Sequence, residues 1–338
     1  MTSAPDHGRT TPRRGGVVLS LGETLIDLIA TDGAGRLEDA VSFVARPGGA
    51  PANVTVALAR LGVASAFGGV VGNDPFGRRL RETLAGERVD VSRLRISDDA
   101  ATTLAFAWKD GRGDGHFWLL RAADTQLGIA DIDAADIPGL AALVVGSVAL
   151  AGEPSRSAIH EAVRRAAGVG VPVCFDVNIR PTLWSSLDEA RRACEPILAQ
   201  ATLVKMSLDD TRSLFDLDEP SAIYERLRTR HDPLGEAGRA APVVVLTDGD
   251  RGCWYGSVVG ETAPRHMPAF QVGAVEPTGA GDAFTASLIS RLLASRWAPP
   301  TEEDLRYAAA AGALATTRSG ALDGLPTAEE LAAFLATV

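Results

Sequence analysis

The feature that most restricts the fold of this chain is the alternation of short, largely apolar runs with longer amphipathic segments. Short apolar runs between helical patterns are typical of strands that are buried on both faces of a sheet. Because such strands alternate with helices, a mostly parallel sheet covered on both sides is favoured. The runs that we expect to be strands are Val17 to Leu21, Leu143 to Val145, Val173 to Phe175, Leu203 to Met206 and Val243 to Leu246.

The segments between these runs carry apolar residues at helical spacing. In the first of them, Asn53 is expected near the N-cap, and Gly62 follows the last helical residue, where glycine commonly ends a helix. The sequence therefore predicts the α/β class, with a central sheet between helices. Helices are expected over Asn53 to Leu61, Ser155 to Ala167, Leu187 to Leu198 and Asp209 to Phe215.

Two stretches break this alternation and predict a small second sheet. Thr102 to Lys109 and His116 to Arg121 flank the segment Asp110-Gly-Arg-Gly-Asp-Gly115, which is a strong signal for a β-hairpin. Val41 to Arg46 is a further short, strand-like segment. We expect these strands, within residues 41–46 and 102–121, to form a β-sheet lid that closes over a ligand beside the main domain.

The predicted hairpin carries the aromatic residues Phe106, Trp108, Phe117 and Trp118. Since side chains alternate between the two faces of a strand, these residues place apolar groups on both faces of the lid. One face can cover a substrate. The other face also has to be buried, either against its own domain or against the lid of a second copy in a homodimer.

Length and charge restrict the classes of protein to consider. The chain has 338 residues, of which 46% are hydrophobic, and this is enough for one large domain over residues 17–338. The formal net charge of -10 and the absence of a long basic run argue against binding to DNA or RNA. The longest apolar stretch, Leu140 to Gly152, is shorter than the roughly 20 residues of a membrane-spanning helix, so no membrane association is expected.

The ends and the cysteines predict a cytoplasmic protein. Residues 1–16 are polar and lack the apolar stretch of a secretory signal, so we expect a disordered leader. Cys174, Cys194 and Cys253 are far apart and form no C-x-x-C pair, which is typical of proteins in a reducing compartment. The segment His231 to Ala241 is rich in Gly, Pro and charge and is expected to be a mobile loop.

The segment that says most about function is Glu276-Pro-Thr-Gly-Ala-Gly-Asp-Ala-Phe284. Gly279, Ala280 and Gly281 open an apolar helix, and their small side chains let backbone N–H groups and the helix dipole attract an anion. Asp282 stands beside this anion hole. A carboxylate there can accept a proton from a hydroxyl while the hole stabilises charge on a phosphoryl group. The alternative is that Asp282 only caps the helix.

A second segment, Pro47-Gly-Gly-Ala-Pro-Ala-Asn-Val54, suits a polyhydroxylated ligand. Gly48 and Gly49 allow the backbone to approach such a ligand closely. Asn53 offers a donor and an acceptor, which match neighbouring sugar hydroxyls. Asp27, which follows the first predicted strand, can accept two such hydroxyls. Taken singly, each of these residues also occurs as a turn glycine, a helix cap or a loop acid.

Two arginines are candidate cations for the substrate. Asp176-Val-Asn-Ile-Arg180 closes a predicted strand, and the carboxyl ends of parallel strands are where α/β sheets bind ligands. Arg121 ends the predicted hairpin. For either arginine the alternative is a surface salt bridge, which contributes little to stability.

Other enzyme classes lack their motifs here. The chain has no G-x-x-x-x-G-K-[ST] sequence, which excludes a P-loop enzyme. The first predicted strand is followed by Gly22-Glu-Thr-Leu25 and not by G-x-G-x-x-G, so a Rossmann dehydrogenase is not supported. His116 and His160 have no partner at metal-ligand spacing, which argues against a catalytic zinc site.

Together these segments resemble the ribokinase-like sugar kinases, the PfkB carbohydrate kinase family, from about Val17 to Phe334. Gly48 to Gly62 is similar to the N-terminal signature of the family, and Pro277 to Phe284 is similar to its C-terminal signature. The resemblance implies a ribokinase-like three-layer sandwich with a β-sheet lid. It also implies transfer of phosphate from ATP to a sugar CH2OH group, with Asp282 as the general base and Gly279, Ala280 and Gly281 as the anion hole.

The resemblance also implies residues for ATP and magnesium. Lys205-Met-Ser-Leu-Asp-Asp210 is similar to the Asn-x-x-Glu segment of the family, which organises magnesium and phosphate. Ser207 and Asp210 stand where Asn and Glu are frequent, so Asp210 is expected to meet Mg2+ through water. The segment Thr247 to Gly252 is similar to the turn that holds ATP. The residues expected to bind ATP are Lys205, Ser207, Thr247, Asp248, Gly249, Gly252 and Ala309.

The segment Ala308 to Gly320 is similar to the helix and turn that wall the adenine and help to bind a monovalent cation. Ala309 stands where many members have Asn near the adenine. Glu276 stands where the family usually has Asp, which leaves the need for potassium open. The candidate residues for K+ are Glu276, Thr278, Arg318 and Gly320.

Within the family the chain is most similar to fructokinases. The features that carry this similarity include Gly22-Glu23 with Asp27, Arg121-Ala-Ala-Asp124 and Asp176-x-Asn-x-Arg180. The 2-keto-3-deoxygluconate kinases share the two arginines, because an arginine can bind a carboxylate or a hydroxyl. D-fructose is therefore the expected substrate, and a keto-acid sugar, another ketose, an aldose or a nucleoside are the alternatives. A sugar-binding sensor that kept the fold and lost catalysis is an alternative of a different class.

Overall fold

The structure is a computed structural model that describes residues 16–111, 115–229, 242–258 and 263–338. The predicted leader, apart from residue 16, and the predicted mobile loop fall outside these ranges. The strands, in chain order, are β1 (Val18–Leu21), β2 (Leu25–Ala30), β3 (Phe43–Gly48), β4 (Ser65–Gly72), β5 (Asp90–Ser97), β6 (Leu104–Lys109), β7 (Gly115–Leu120), β8 (Ala142–Gly146), β9 (Val173–Asp176), β10 (Leu203–Ser207), β11 (Val243–Thr247), β12 (Cys253–Ser257) and β13 (Arg265–Met267).

The helices cover both faces of the larger sheet. In chain order they are α1 (Ala50–Arg60), α2 (Pro75–Gly86), α3 (Ile129–Asp133), α4 (Ser155–Gly168), α5 (Leu187–Leu198), α6 (Leu208–Phe215), α7 (Pro220–Arg228), α8 (Ala280–Ala294), α9 (Glu302–Ala315) and α10 (Ala328–Leu335).

The larger sheet has nine strands in the order β13-β12-β11-β10-β9-β8-β1-β4-β5. The pairings from β11 through to β5 are parallel, and β12 and β13 add two antiparallel pairings at one edge. The predicted α/β class with a mostly parallel sheet is confirmed. In a parallel sheet the carboxyl ends of the strands lie along one edge, so β1, β8, β9, β10 and β11 all end on the same side.

Side chains of the central strands alternate between two apolar cores, one on each face of the sheet. On β8, Leu143 and Val145 pack with α4 and α5 in one core, whereas Val144 packs with α1, α8 and α9 in the other. Burial on both faces explains the continuous apolar runs in the sequence. No helix in the described part of the chain is both long and apolar enough to cross a membrane.

The smaller sheet, which we call the lid, has the strand order β3-β2-β6-β7. The β2–β6 pairing is parallel and the other two are antiparallel. The predicted lid strands exist, but their bounds differ: the segment expected over 41–46 is β3 at 43–48, and the hairpin strands are β6 and β7. The lid edge strand β3 continues almost directly into α1, so that the lid is joined to the main domain beside the glycine pair Gly48-Gly49.

The start of α1 corrects one prediction. Asn53 was expected near the N-cap, whereas the helix begins at Ala50 with Gly49 as its N-cap. Pro51 lies in the first turn, where the missing N–H of proline costs nothing and its fixed φ suits a helix. Asn53 therefore lies one turn inside the helix and is buried.

Candidate active site

The candidate site lies where the carboxyl ends of the central strands meet the beginnings of α1 and α8. Asp282, in the first turn of α8, is only 9% exposed, and its Oδ2 accepts a hydrogen bond of 2.8 Å from Nδ2 of Asn53 on α1. The two signature segments of the sequence therefore meet. The N-cap of α8 is Gly279, which has no side chain to cap the helix, and the described hydrogen bond of Asp282 runs to α1.

A buried ion pair lies next to Asp282. Nζ of Lys205, on β10, is 3.1 Å from Oδ1 of Asp176 at the end of β9. The other carboxylate oxygen of Asp176 accepts a 2.8 Å hydrogen bond from Oγ1 of Thr285, one turn after Asp282 on α8. Asp176 was noted in the sequence only as part of the Arg180 segment, and Thr285 was not singled out.

Gly281 is the point where α8 approaches this lysine most closely. A Cβ atom at this position would lie 2.9 Å from Nζ of Lys205. The absence of a side chain therefore lets the ammonium group come close to the backbone at the beginning of α8. Backbone N–H groups of a helix N-terminus and a fixed cation are a suitable environment for a phosphate group. Of the three residues of the predicted anion hole, Ala280 already donates its N–H to the carbonyl oxygen of Pro277 at 3.2 Å, so the prediction rests on the N–H groups of Gly279 and Gly281.

The environment raises the pKa of Asp282 to about 6. Burial is the main cause, and the negative charge of Asp176 adds to it, while the hydrogen bond from Asn53 and the charges of Lys205 and Arg180 act in the opposite direction. A carboxylate with a pKa near 6 is mostly ionised at neutral pH and is a stronger base than an exposed aspartate. It is therefore suited to accept a proton from an alcohol.

The sugar end of the site lies under the lid. Asp27 on β2 and Gly48 on β3 are so close that a Cβ at Gly48 would come 2.0 Å from Oδ2 of Asp27. A side chain at position 48 would therefore displace the carboxylate of Asp27. Burial raises the pKa of Asp27 to about 7, against the opposing charge of Arg180. The guanidinium carbon of Arg180 is 5.9 Å from the ring centroid of Phe117 on the lid strand β7. Arg180 therefore lies against the face of the lid that carries Phe117.

Glu23, in the turn between β1 and β2, is a residue whose burial was not expected from the sequence. It is only 3% exposed, and its Oε2 has no hydrogen-bond partner among the described residues. Burial raises its pKa to about 8. Gly49 lies against it, since a Cβ at Gly49 would be 2.5 Å from the carbonyl oxygen of Glu23.

Arg121 is less available than the sequence indicated. Its Nε donates to Oδ2 of Asp124 at 2.8 Å, and its Nη2 is 2.6 Å from the same oxygen. Asp124 is also held by Thr103 and by the backbone N–H of Ala122. Arg121 therefore belongs to a buried cluster at the junction of the lid and the main domain, and most of its charge is already balanced.

The segment expected to organise magnesium forms a closed helix start. Oδ2 of Asp210 accepts hydrogen bonds from N and Oγ of Ser207, at 2.7 and 2.8 Å, and its Oδ1 accepts from the N–H of Ile179 at 2.7 Å. Ser207 is the N-cap of α6, and the two residues form a capping box. Oδ1 of Asp210 keeps a lone pair that can accept from water, whereas Oδ2 already accepts two hydrogen bonds, and the carboxylate is fixed by the protein.

The remaining residues expected to bind ATP lie along the neighbouring strand end and helix. Thr247 ends β11, and the turn after it contains Asp248, Gly249 and Gly252. The carboxylate of Asp248 is paired with Arg251 at 2.6 Å. Ala309 lies on α9, is half-buried, and borders the core between α8 and α9.

The candidate site for a monovalent cation, formed by residues 276–278 and 318–320, is held together by Glu276. Its Oε2 accepts from Oγ of Ser319 at 2.8 Å and from the N–H of Gly320 at 3.0 Å. Burial would raise the pKa of Glu276, but these hydrogen bonds and one from Thr278 outweigh it and keep the pKa below its usual value. The side chain of Arg318 instead pairs with Glu330 at 2.5 Å, so only its backbone can face this loop.

The arrangement can remove a proton from a hydroxyl and stabilise an anion next to it. Asp282 supplies the base, and Lys205 with the beginning of α8 supplies positive potential a few ångströms away. Positive potential of this kind is suitable for a phosphate group of a nucleotide. Acceptors without partners, Oδ1 of Asn53 and Oε2 of Glu23, lie on the side where Asp27 and Arg180 face the lid.

Comparison with known proteins agrees with this geometry. Residues 17–328 match the family described as pfkB family carbohydrate kinase. A fructokinase of Klebsiella pneumoniae is 37% identical over 329 residues, which cover 94% of this chain and 98% of the relative.

Solved structures are similar over the same length. A crystal structure of fructokinase with bound ATP from Xylella fastidiosa has a TM-score of 0.80 at 30% identity, covering 95% of this chain and 98% of that chain. A fructokinase double mutant from Vibrio cholerae O395, in a form with bound fructose, ADP and potassium ion, has a TM-score of 0.78 at 31% identity, covering 96% of this chain and 100% of that chain.

Proposed function

The chain belongs to the pfkB family of carbohydrate kinases, and we propose that it transfers the γ-phosphoryl group of ATP to a primary hydroxyl of D-fructose. Transfer of phosphate to a sugar hydroxyl follows from the family. The choice of fructose rests on the fructokinases among its relatives and on the polar groups at the sugar end of the site.

The observation that carries the proposal is the position of Asp282. Its buried carboxylate lies one turn from Thr285, is held by Asn53, and faces the positive groups of Lys205 and the start of α8. Asp282 takes the proton of the sugar hydroxyl as that oxygen attacks the γ-phosphorus. The N–H groups of Gly279 and Gly281 and the ammonium group stabilise the negative charge on the phosphoryl oxygens.

Magnesium and the nucleotide occupy the side of the site near β10 and β11 in this proposal. Mg2+, when bound with ATP, supplies charge neutralisation for the phosphate oxygens. Asp210 would hold it through water, because Ser207 and Ile179 already fix both carboxylate oxygens. The turn from Thr247 to Gly252 and the half-buried Ala309 hold the rest of the nucleotide.

A monovalent cation fits the loop closed by Glu276 in this proposal. The carboxylate of Glu276 ties Thr278 and Gly320 together, and backbone carbonyls of such a loop are suitable ligands for K+. A relative has been solved with potassium ion bound. The three free, buried thiols and the dependence on ATP favour the cytoplasm as the location.

The polar groups at the sugar end favour a neutral sugar over a keto-acid sugar. Arg121 is paired with Asp124, and Arg180 faces the acids Asp27 and Glu23. Because the pKa of Glu23 is raised to about 8 and that of Asp27 to about 7, Glu23 is mostly protonated at neutral pH and the charge of Arg180 is only partly balanced. The preference for a neutral sugar rests instead on Oδ1 of Asn53, which has no partner among the described residues and can accept from a hydroxyl, whereas a carboxylate has no proton to donate.

A substrate panel tests the proposal. We expect purified protein with ATP and Mg2+ to phosphorylate D-fructose with a kcat/KM at least roughly tenfold above that for 2-keto-3-deoxygluconate, ribose or adenosine. The reason is that a wrong substrate leaves buried polar groups of the site without a partner, which costs free energy in the transition state. ADP release coupled to a second enzyme measures the rate. A preference for the keto-acid sugar would overturn fructose as the substrate, and binding of fructose without ADP release would indicate a sensor.

We also propose that the outer face of the lid binds the lid of a second copy. Phe106, Trp108 and Trp118 lie on the same face, opposite the face that carries Phe117, as the strand alternation predicted. Phe43 packs on Phe106 at 5.8 Å between ring centroids, and Phe106 packs on Trp118 at 5.5 Å.

This face remains largely open in a single chain, since Trp118 and Leu120 are each 49% exposed. A contiguous aromatic patch of this kind is typical of a protein interface. Light scattering is expected to give twice the chain mass of 35.2 kDa, and Trp118→Ser is expected to lower it to that of one chain. A wild-type particle with the mass of a single chain at micromolar concentration would contradict the dimer.

A further inference from the structure

Lys205 is a buried cation at the start of α8, and its position depends on two neighbours. The ammonium group lies against Gly281, 2.9 Å from where a Cβ would stand. A lysine side chain has four rotatable bonds, so it needs a partner to hold it in one place. Its side chain is only 9% exposed, and its described hydrogen-bond partner is Oδ1 of Asp176.

Asp176 is itself held from the other side. Its Oδ2 accepts from Oγ1 of Thr285, which lies on α8 one turn after Asp282. The chain Thr285–Asp176–Lys205 thus runs from α8 through the end of β9 to β10, and it is buried throughout. Because Thr285 and Asp282 are on the same rigid helix, the hydrogen bond fixes the lysine relative to the base.

We infer that Asp176 and Thr285 are positioning residues that hold the ammonium group of Lys205 over Gly281, where it meets the transferred phosphoryl group. This inference rests on the proposed kinase function. Neither residue touches the substrate. They act through the lysine, which is correctly placed before ATP arrives and so needs no rearrangement as charge develops.

The carboxylate of Asp176 also affects the pKa of the base, Asp282. Asp282 is surrounded by Asp176, Lys205, Arg180, Asn53 and, across the sugar end, Asp27. The charge of Asp176 opposes ionisation of Asp282, and the charge of Lys205 favours it. Replacing Asp176 by Asn therefore removes a repulsion and leaves the lysine free to interact with Asp282, so the acid limb of the pH profile moves to lower pH.

Thr285→Val tests the positioning role with little change in shape. A mispositioned group commonly lowers the rate by about 10 to 100-fold, and we expect a loss of that order in kcat for Thr285→Val and a larger loss for Asp176→Asn. Thr285→Ser, which keeps the hydroxyl, is expected to restore most of the rate. Ser287→Ala is the matched control, because Ser287 is a buried residue of α8 whose hydroxyl has no partner among the described residues.

Calorimetry without sugar gives a readout that does not require turnover. The wild type is expected to bind the non-hydrolysable analogue adenylyl imidodiphosphate more tightly than ADP, and Thr285→Val to reduce this preference several-fold while the affinity for ADP changes little. A protein that shows this change but does not phosphorylate fructose would refute the proposed substrate and leave the positioning role intact.

Three results would overturn the inference. One is a Thr285→Val variant with the same preference for the triphosphate analogue as the wild type. Another is recovery of Asp176→Asn activity by excess Mg2+, which would make the carboxylate a metal site. The third is an Asp176→Asn variant that has reduced kcat but keeps the acid limb of the wild type, while a thermal melting curve shows that it is folded. A role of Asp176 in packing alone would give that outcome.

Discussion

The two ends of the site differ in how completely their buried polar groups are paired. At the phosphate end, both oxygens of Asp176 and both oxygens of Asp210 accept hydrogen bonds from the protein. At the sugar end, Oε2 of Glu23 and Oδ1 of Asn53 have no partner in the part of the chain that the structure describes. A buried acceptor without a partner lowers the stability of the fold, so it is expected where a ligand supplies the missing donor.

This difference follows from what each end has to bind. Phosphoryl transfer needs charges that are in place before the reaction, because reorganising them costs free energy in the transition state. A sugar arrives with hydroxyl groups that can donate to open acceptors. Asn53 belongs to both ends, since its Nδ2 donates to Asp282 and its Oδ1 is open to the sugar.

The largest effect is expected at the base. Asp282→Asn should lower kcat by about 10^2 to 10^4-fold, which is the usual contribution of general acid–base catalysis, while ATP still binds. Steady-state kinetics and calorimetry with the non-hydrolysable analogue measure the two properties. Asp188→Asn, at an exposed acid in the first turn of α5, is the control. Turnover close to that of the wild type would remove Asp282 from its role.

A smaller effect is expected for the residue that joins both ends. Asn53→Ala removes the donor to Asp282 and an acceptor for the sugar, and hydrogen bonds to charged groups are worth about 1.5–3 kcal/mol, so kcat/KM should fall by roughly 10 to 100-fold. The hydrogen bond from Asn53 lowers the pKa of Asp282, so the variant should also have an acid limb at higher pH. An unchanged acid limb would contradict the contact with Asp282.

The wild-type pH profile provides a third test. The pKa of Asp282 is raised to about 6, so its base form is lost as the pH falls below that value. At saturating sugar, kcat should fall about tenfold for each pH unit below about 6. KM for the sugar should already rise below pH 7, because Asp27 titrates at about 7. Activity that is constant down to pH 4 would show that neither acid has a raised pKa.

The smallest effect is expected in stability, at Glu23. Its pKa in the fold is raised to about 8 from 4.5, so the folded state holds a proton that the unfolded chain releases between these values. The contribution of Glu23 to the free energy of unfolding is therefore fully present below pH 4.5 and is lost as the pH rises through about 8. Glu23→Gln, which cannot ionise, should lose less stability than the wild type between pH 5 and pH 9.

Urea unfolding of the wild type and of Glu23→Gln at pH 5 and at pH 9 measures this difference in the free energy of unfolding. One unit of pKa shift corresponds to about 1.4 kcal/mol, so we expect the variant to be more stable than the wild type by at least about 1 kcal/mol at pH 9. The exposed Glu302→Gln serves as a control. Equal pH dependence of Glu23→Gln and the wild type would mean that Glu23 is charged and paired, and the contrast between the two ends of the site would then fail.

Local features of the sequence were sufficient for several predictions. The strand runs Leu143 to Val145 and Val243 to Leu246 both lie within observed strands, because burial on both faces makes a strand uniformly apolar. The strands β2, β4 and β5 were not predicted. β4 contains two consecutive glycines, Gly68 and Gly69, and β5 contains two arginines, so neither has the apolar character of a buried strand.

The sequence alone determined the α/β layers and the two turns that form the centre of the site, since period and glycine placement act over a few residues. Only the tertiary structure decided which residues meet there. Asn53 and Asp282 are 229 positions apart, and Asp176 and Thr285 are 109 apart, so no local pattern relates them. The same holds for burial: Arg121 was expected to face the substrate but is paired with Asp124, and Glu23 is enclosed where the lid joins the domain, because desolvation depends on every element packed around a side chain.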